Sequence, residues 1–292
     1  LELGGFLHVR VGGGHPSESW GVALKTLGGG RGGGSRRDES VKTPGARAAP
    51  LLRLKRRASV VASAAVFAAV YAVLGTIPVS RLVLGAGNFL TASNFITPLA
   101  GMMFGPYVGG FAAIVGDLLD VYAGVIAFNG TGLSIMAADL ATVVVAGLAF
   151  GGRRKAALAV PLAVIVLYWA DPISVLFVGP VPFTWLHMVS VVPLAVALAL
   201  EGSGRMSKLN PAFVVSVTFA ALLCGQLTGT LVGQELAVRV FGTLSLAAWQ
   251  GTVKLFFPLY PVERTFFTAV GSAVSLPVLR ALKRRQVAQR PQ

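Results

Sequence analysis

A chain of 292 residues that is 54% hydrophobic and only 12% charged has a mean hydropathy of +0.74. Ordinary soluble domains carry about 25% charged residues, so the composition excludes a soluble globular protein and fits one that crosses a membrane several times. The net charge of +14 is not a nucleic-acid surface, because Lys and Arg gather at the ends of apolar segments, and the single cysteine, Cys224, excludes an intrachain disulfide or a cysteine-held metal.

Residues 1–52 form a Gly/Arg-rich tail with the run Gly28-Gly29-Gly30-Arg31-Gly32-Gly33-Gly34. Such a segment buries too little apolar surface to offset its ordering entropy and is expected to be disordered. It has no apolar core of a signal peptide. It begins with Leu1 rather than Met, which fits an over-extended start, in which case the tail would not be made in the cell; the sequence leaves its translation open. Residues 53–285 read as one all-α transmembrane helical domain, followed by a basic tail at 286–292.

Eight hydrophobic segments are expected, at about 58–77, 92–104, 106–127, 132–150, 156–177, 183–200, 211–235 and 262–280. Basic clusters stand at Arg53–Arg57, Arg153–Lys155, Arg205 with Lys208, and Arg280–Arg285. Lys and Arg favour the cytoplasmic side of a membrane. One topology puts every cluster inside. It makes the chain a multi-pass protein of the cell membrane with both termini cytoplasmic.

On the first segment Ala58, Ala62, Ala65 and Ala69 recur at a spacing that lets helices approach closely in lipid. The second segment contains Pro98 and ends at Gly105-Pro106. Pro106 cannot continue the preceding hydrogen-bond ladder but suits the first turn of a new helix, so a tight hairpin is expected at this hinge.

Carboxylates at membrane depth cost roughly 2.5–3.5 kcal/mol each on insertion scales, so they usually face a cavity. Asp117 and Asp120 fall in the middle and outer half of the third segment. Asp139 sits at a similar depth in the fourth. The fifth ends with Tyr168-Trp169, which suit an outer interfacial belt, and His187 in the sixth reads as a packing residue. Gln226, Thr228, Thr230, Gln234 and Glu235 run outward along the seventh, and the apolar loop at 236–261 reads as an interfacial segment or a lid. Glu263 and Arg264 open the eighth, and Asn88 and Asn94 flank the second. The polar groups thus concentrate in the outer half, which points to a pocket open to the outside and not a through-pore.

The substrate-binding candidates are Asn94, Asp117, Asp120, Asp139, Gln226, Gln234, Glu235 and Arg264, the last pairing a ligand carboxylate or anchoring at the interface. Interhelical hydrogen bonding is the alternative role for Gln226, Thr218, Thr228 and Thr230. A salt bridge from Asp117 or Asp139 to Arg239, Lys254 or Arg264 is also open. The acidic excess favours a cationic or amide-rich solute. Walker A, H-E-x-x-H and G-x-S-x-G motifs are missing, so no enzyme activity, metal or cofactor is expected.

The stretch Pro98-Leu99-Ala100-Gly101-Met102-Met103-Phe104-Gly105-Pro106-Tyr107-Val108-Gly109-Gly110, continuing to Gly116-Asp117-Leu118-Leu119, resembles the second and third helices of substrate-binding S components of energy-coupling factor vitamin transporters. The first segment, Ala65 to Pro78, is similar to their first helix, and Pro261 to Arg284 is similar to their last helix and basic tail. The resemblance covers 58–150 and, more loosely, 211–285. It implies capture of a vitamin or precursor from outside. It also implies partnership with a transmembrane coupling subunit and two ATPase subunits, docked through Ala65 and Ala69. Members of that family usually have six helices, so the pair at 156–200 reads as an inserted hairpin. The alternatives are a proton-coupled secondary transporter using Asp117 or Asp139, and a membrane enzyme or scaffold.

Overall fold

The computed structural model describes residues 57–80 and 90–288. The tail 1–52, Asn88 and residues 289–292 lie outside the described residues.

The described chain is an all-α polytopic transmembrane bundle. Its helices are α1 (Arg57–Gly75), α2 (Thr97–Tyr122), α3 (Gly130–Phe150), α4 (Arg154–Ala170), α5 (Trp185–Gly202), α6 (Pro211–Gln234), α7 (Leu246–Phe256) and α8 (Tyr260–Ala288). A 3-10 turn, Ala92–Phe95, leads into α2, and a π-helical segment, Glu235–Val240, prolongs α6. Two short antiparallel pairs complete it, β1 (Pro78–Ser80) with β2 (Leu90–Thr91), and β3 (Phe177–Val178) with β4 (Val181–Pro182). By length and composition, α3, α5, the stretch Pro211–Val240 and α8 can each cross a membrane; α2 has the length and composition but is broken at Gly105, and the apolar part of α1, Val60–Gly75, is shorter.

Helix α2 is not one rod. Gly105 adopts φ 79°, ψ 177°, a conformation open in practice only to glycine. A Cβ on Gly109 would lie 2.6 Å from the carbonyl oxygen of Ala100. Nine residues along an unbroken helix lie about 13.5 Å apart, so the chain reverses at Gly105. Its arms, 97–104 and 106–122, pack together through Ala100, Ala112 and Ala113. The expected Gly105-Pro106 hairpin is therefore present. With α2 counted as two arms and α7 set aside as too short, the helices correspond to the eight expected segments. Helix α3 presses on the turn itself: a Cβ on Gly147 would lie 2.5 Å from the Pro106 nitrogen.

One end of the bundle carries Arg153–Lys155, Arg205 with Lys208, and Arg280–Arg285. There Leu99, Met102, Phe150, Leu198, Phe213 and Leu279 close a common apolar cluster across α2, α3, α5, α6 and α8. Arg154 pairs with Glu201 at 2.7 Å, and Lys208 donates to the Phe150 carbonyl at 2.6 Å, tying the α3–α4 turn to the α5–α6 loop. Partial burial pulls the Lys208 ammonium below its ordinary pKa, with Glu201 opposing the shift. Asn210 caps α6 by accepting from the Ala212 amide, and Pro211 occupies its first turn.

The opposite end is capped. Helices α4 and α5, the expected inserted pair, are joined there through β3–β4 and pack on α6. Tyr168 does not sit in an interfacial belt: it is 0% exposed, stacks on Phe183 and donates to the Val175 carbonyl at 3.2 Å. Trp169 is more exposed and donates to Thr184 at 2.7 Å. His187 is a packing residue between Phe183 and Tyr260. The 236–261 loop folds back over this end. Ser245 caps α7, whose Trp249 and Val253 join the apolar cluster of Tyr168, Phe183 and Leu227.

Candidate functional site

A cavity of about 80 Å³ lies between the 3-10 turn, α2, α3, α6 and α8. Close helix approach creates it. Gly225 and Gly229 of α6 run against α3, where a Cβ on Gly225 would strike Thr142 and the Ala138 carbonyl. Gly116 of α2 lies under the Tyr71 ring of α1. Without side chains at these positions, polar groups from four helices converge.

Asn94, Asp117, Asp139, Gln226 and Arg264, five of the expected binding residues, line this one cavity. Thr91, Ser93, Thr131, Ser134, Thr142 and Thr230 join them. Asp139 is 3% exposed and held by one hydroxyl, with a second nearby. Tyr71 donates to its Oδ2 at 2.6 Å, and Thr97 approaches its Oδ1 at 3.4 Å. Asp117 is 1% exposed, yet neither of its carboxylate oxygens has a hydrogen-bond partner. Arg264 is buried beside the Phe267 ring, its Nε also without a partner, and no ion pair joins it to either aspartate.

Three expected binding residues sit elsewhere. Asp120 is buried, but its carboxyl packs on Gly75 of α1, where any Cβ would overlap it, and it does not reach the cavity. Gln234 donates its amide to Asp171 and Ser174. Glu235 pairs with Arg239 at 2.9 Å, and Arg239 also meets Asp171 at 3.3 Å. Gln234 and Glu235 therefore belong to the network that fastens the capped end, and Arg239 serves Asp171 rather than an intramembrane aspartate. Thr228 and Thr230 donate to carbonyls of their own helix and join no neighbour that way. Among the described residues, no group of three or more His, Cys, Asp or Glu is placed to hold a metal.

Helix α1 has two faces. Ala64, Phe67, Ala68, Tyr71 and Gly75 turn inward at helical spacing, while Ala62, Ala65 and Ala69 are exposed with Val66, Val70 and Val73. Tyr71 was not among the candidates read from the sequence. The signal was its spacing of four from Phe67, on the face away from Ala65 and Ala69.

No protein-family model matches the chain, and neither curated proteins nor solved structures give a match. The chemistry of the site must speak from its own groups. It offers buried carboxylate and amide acceptors, hydroxyls and one guanidinium.

Proposed function

We propose that this membrane protein is the solute-binding subunit of an energy-coupling factor importer, the family that its 98–119 stretch resembles. The observation carrying this reading is helix α1. It presents Ala62, Ala65 and Ala69 outward, and on its other face it sends Tyr71 to Asp139 at the cavity wall. One rigid helix thus joins a surface suited to close helix packing with the groups around a solute.

In this reading the basic end faces the cytoplasm, following the bias of Lys and Arg, and both termini lie inside. The cavity receives a small vitamin or precursor from the other side. The coupling subunit docks on α1, and its two ATPases supply the energy.

The test is purification of the tagged chain from its native membrane with identification of what comes with it. A transmembrane subunit and two ATPases should be recovered, and Ala65→Trp combined with Ala69→Trp should remove them. Recovery of the chain alone, where other transporter complexes survive, would overturn the proposal. A second reading draws on the unpartnered Asp117 carboxylate in the cavity it shares with Asp139: a proton-coupled transporter. It requires proton-driven uptake without partners, abolished by Asp117→Asn.

A further inference from the structure

Resting on the importer reading, we propose that the cavity takes the protonated nitrogen of a small organic cation, with Asp117 as its counter-charge. Around the cavity, the buried polar atoms left without a partner are mostly acceptors. Tyr71 already donates to Asp139, and the Thr97 hydroxyl has the Ser93 carbonyl at 3.1 Å. The hydroxyls of Ser134, Thr142 and Thr230 donate to carbonyls of their own helices. Of the fully buried cavity atoms left without a partner, three are acceptors, both oxygens of Asp117 and Oε1 of Gln226, and one is a donor, Nε of Arg264.

Charge points the same way. Two carboxyl groups and one guanidinium line the cavity, so with both carboxyls ionised one negative charge is uncancelled. A bare carboxylate is among the costliest groups to bury at membrane depth. A ligand nitrogen carrying both a positive charge and N–H donors answers the charge and the unmet hydrogen bonds together. A neutral amide would serve Gln226 and leave the charge. An anion would add to it. Asp120 isolates what is special about Asp117: it too lacks a partner, but it is packed on Gly75 away from the cavity. The space of about 80 Å³ admits a compact head group, and the Arg264 Nε remains for an oxygen of the same solute.

The probes are propylammonium, propanol and propionate, which share size and differ in charge. They are titrated into the full chain, purified alone into lipid nanodiscs, at constant ionic strength set with sodium chloride, and thermal unfolding is followed. Propylammonium should raise the midpoint in a concentration-dependent way, and the other two should not. Asp117→Asn removes a charged hydrogen-bond partner and should weaken propylammonium binding by about 10- to 150-fold, while Asp120→Asn keeps wild-type binding. Should Asp117→Asn fail to fold, Gln226→Glu adds a third carboxyl group to the cavity, from α6, and should strengthen binding.

The absence of a propylammonium shift overturns the proposal. So does an equal shift from propionate, propanol or added sodium chloride, or unchanged ammonium binding in the Asp117 and Gln226 variants. Because the measurement uses the chain without partners, it separates the two ideas. Ammonium binding by a chain that recruits no coupling subunit retires the importer reading alone. Partner recovery with propionate-selective binding retires the cation site alone.

Discussion

Tyr71 and Asp139 are 68 positions apart in sequence and meet in a buried hydrogen bond of 2.6 Å, from the Tyr71 hydroxyl to Oδ2. The bond links α1, whose other face is exposed, to the helix that forms one wall of the cavity. Thr97, at 3.4 Å from Oδ1, is too distant to replace it.

Tyr71→Phe tests that link with little change in packing. The ring stays beside Phe67 and over Gly116, and only the hydroxyl is lost. A hydrogen bond to a charged group contributes roughly 1.5–3 kcal/mol, and a buried carboxylate left short of donors is penalised further. Equilibrium unfolding in detergent should show a loss of that size. Wild-type stability in Tyr71→Phe would mean that Asp139 is satisfied without α1.

The hairpin makes a second prediction, through two glycines with different constraints. At Gly105 a Cβ would meet nothing within 4 Å, so Gly105→Ala is penalised only by its backbone conformation, by about 1–3 kcal/mol. At Gly147 the Cβ would meet the backbone of Gly105 and Pro106, at 2.8 and 2.5 Å. Backbone cannot turn aside as a side chain can, so Gly147→Ala must separate α3 from the hinge. Overpacking of this kind typically costs about 1–3 kcal/mol and occasionally more. Unfolding midpoints should place Gly147→Ala at or below Gly105→Ala. The reverse order would mean that α3 does not bear on the turn.

The helices were legible because apolar runs of membrane length lie between basic clusters, and the hinge because Pro106 has no N–H to give. The site was legible in part. The penalty on membrane-depth carboxylates pointed to Asp117 and Asp139, and the shared depth of Asn94, Gln226 and Arg264 brought them in. Depth along a helix can be read from topology, but direction around the axis cannot. Asp120 follows Asp117 by three residues, about 4.5 Å further along the helix and only about 60° around it, and that small offset is enough to put its carboxyl on Gly75 rather than in the cavity. Gln234 and Glu235 lie about two turns beyond Gln226, where α6 has passed the cavity and entered the cap. Tyr71 stayed hidden because a tyrosine among alanines reads as packing until its partner on α3 is seen.

The capped end separates a buried polar contact from an exposed one within a single network. Gln234 is 0% exposed and donates to Asp171 and Ser174 across to the α4–β3 connection. Arg239 reaches the same Asp171, but its side chain is 44% exposed. Gln234→Ala leaves two buried acceptors without their donor and should cost about 1–3 kcal/mol. Arg239→Ala removes a partly solvated ion pair and should cost under about 1 kcal/mol, an effect that shrinks further in high salt. Unfolding at low and high salt measures both. Equal losses would mean that the guanidinium, and not the amide, fastens α6 to the cap, and that the π-helical turn carrying Arg239 bears more of the stability than its exposure implies.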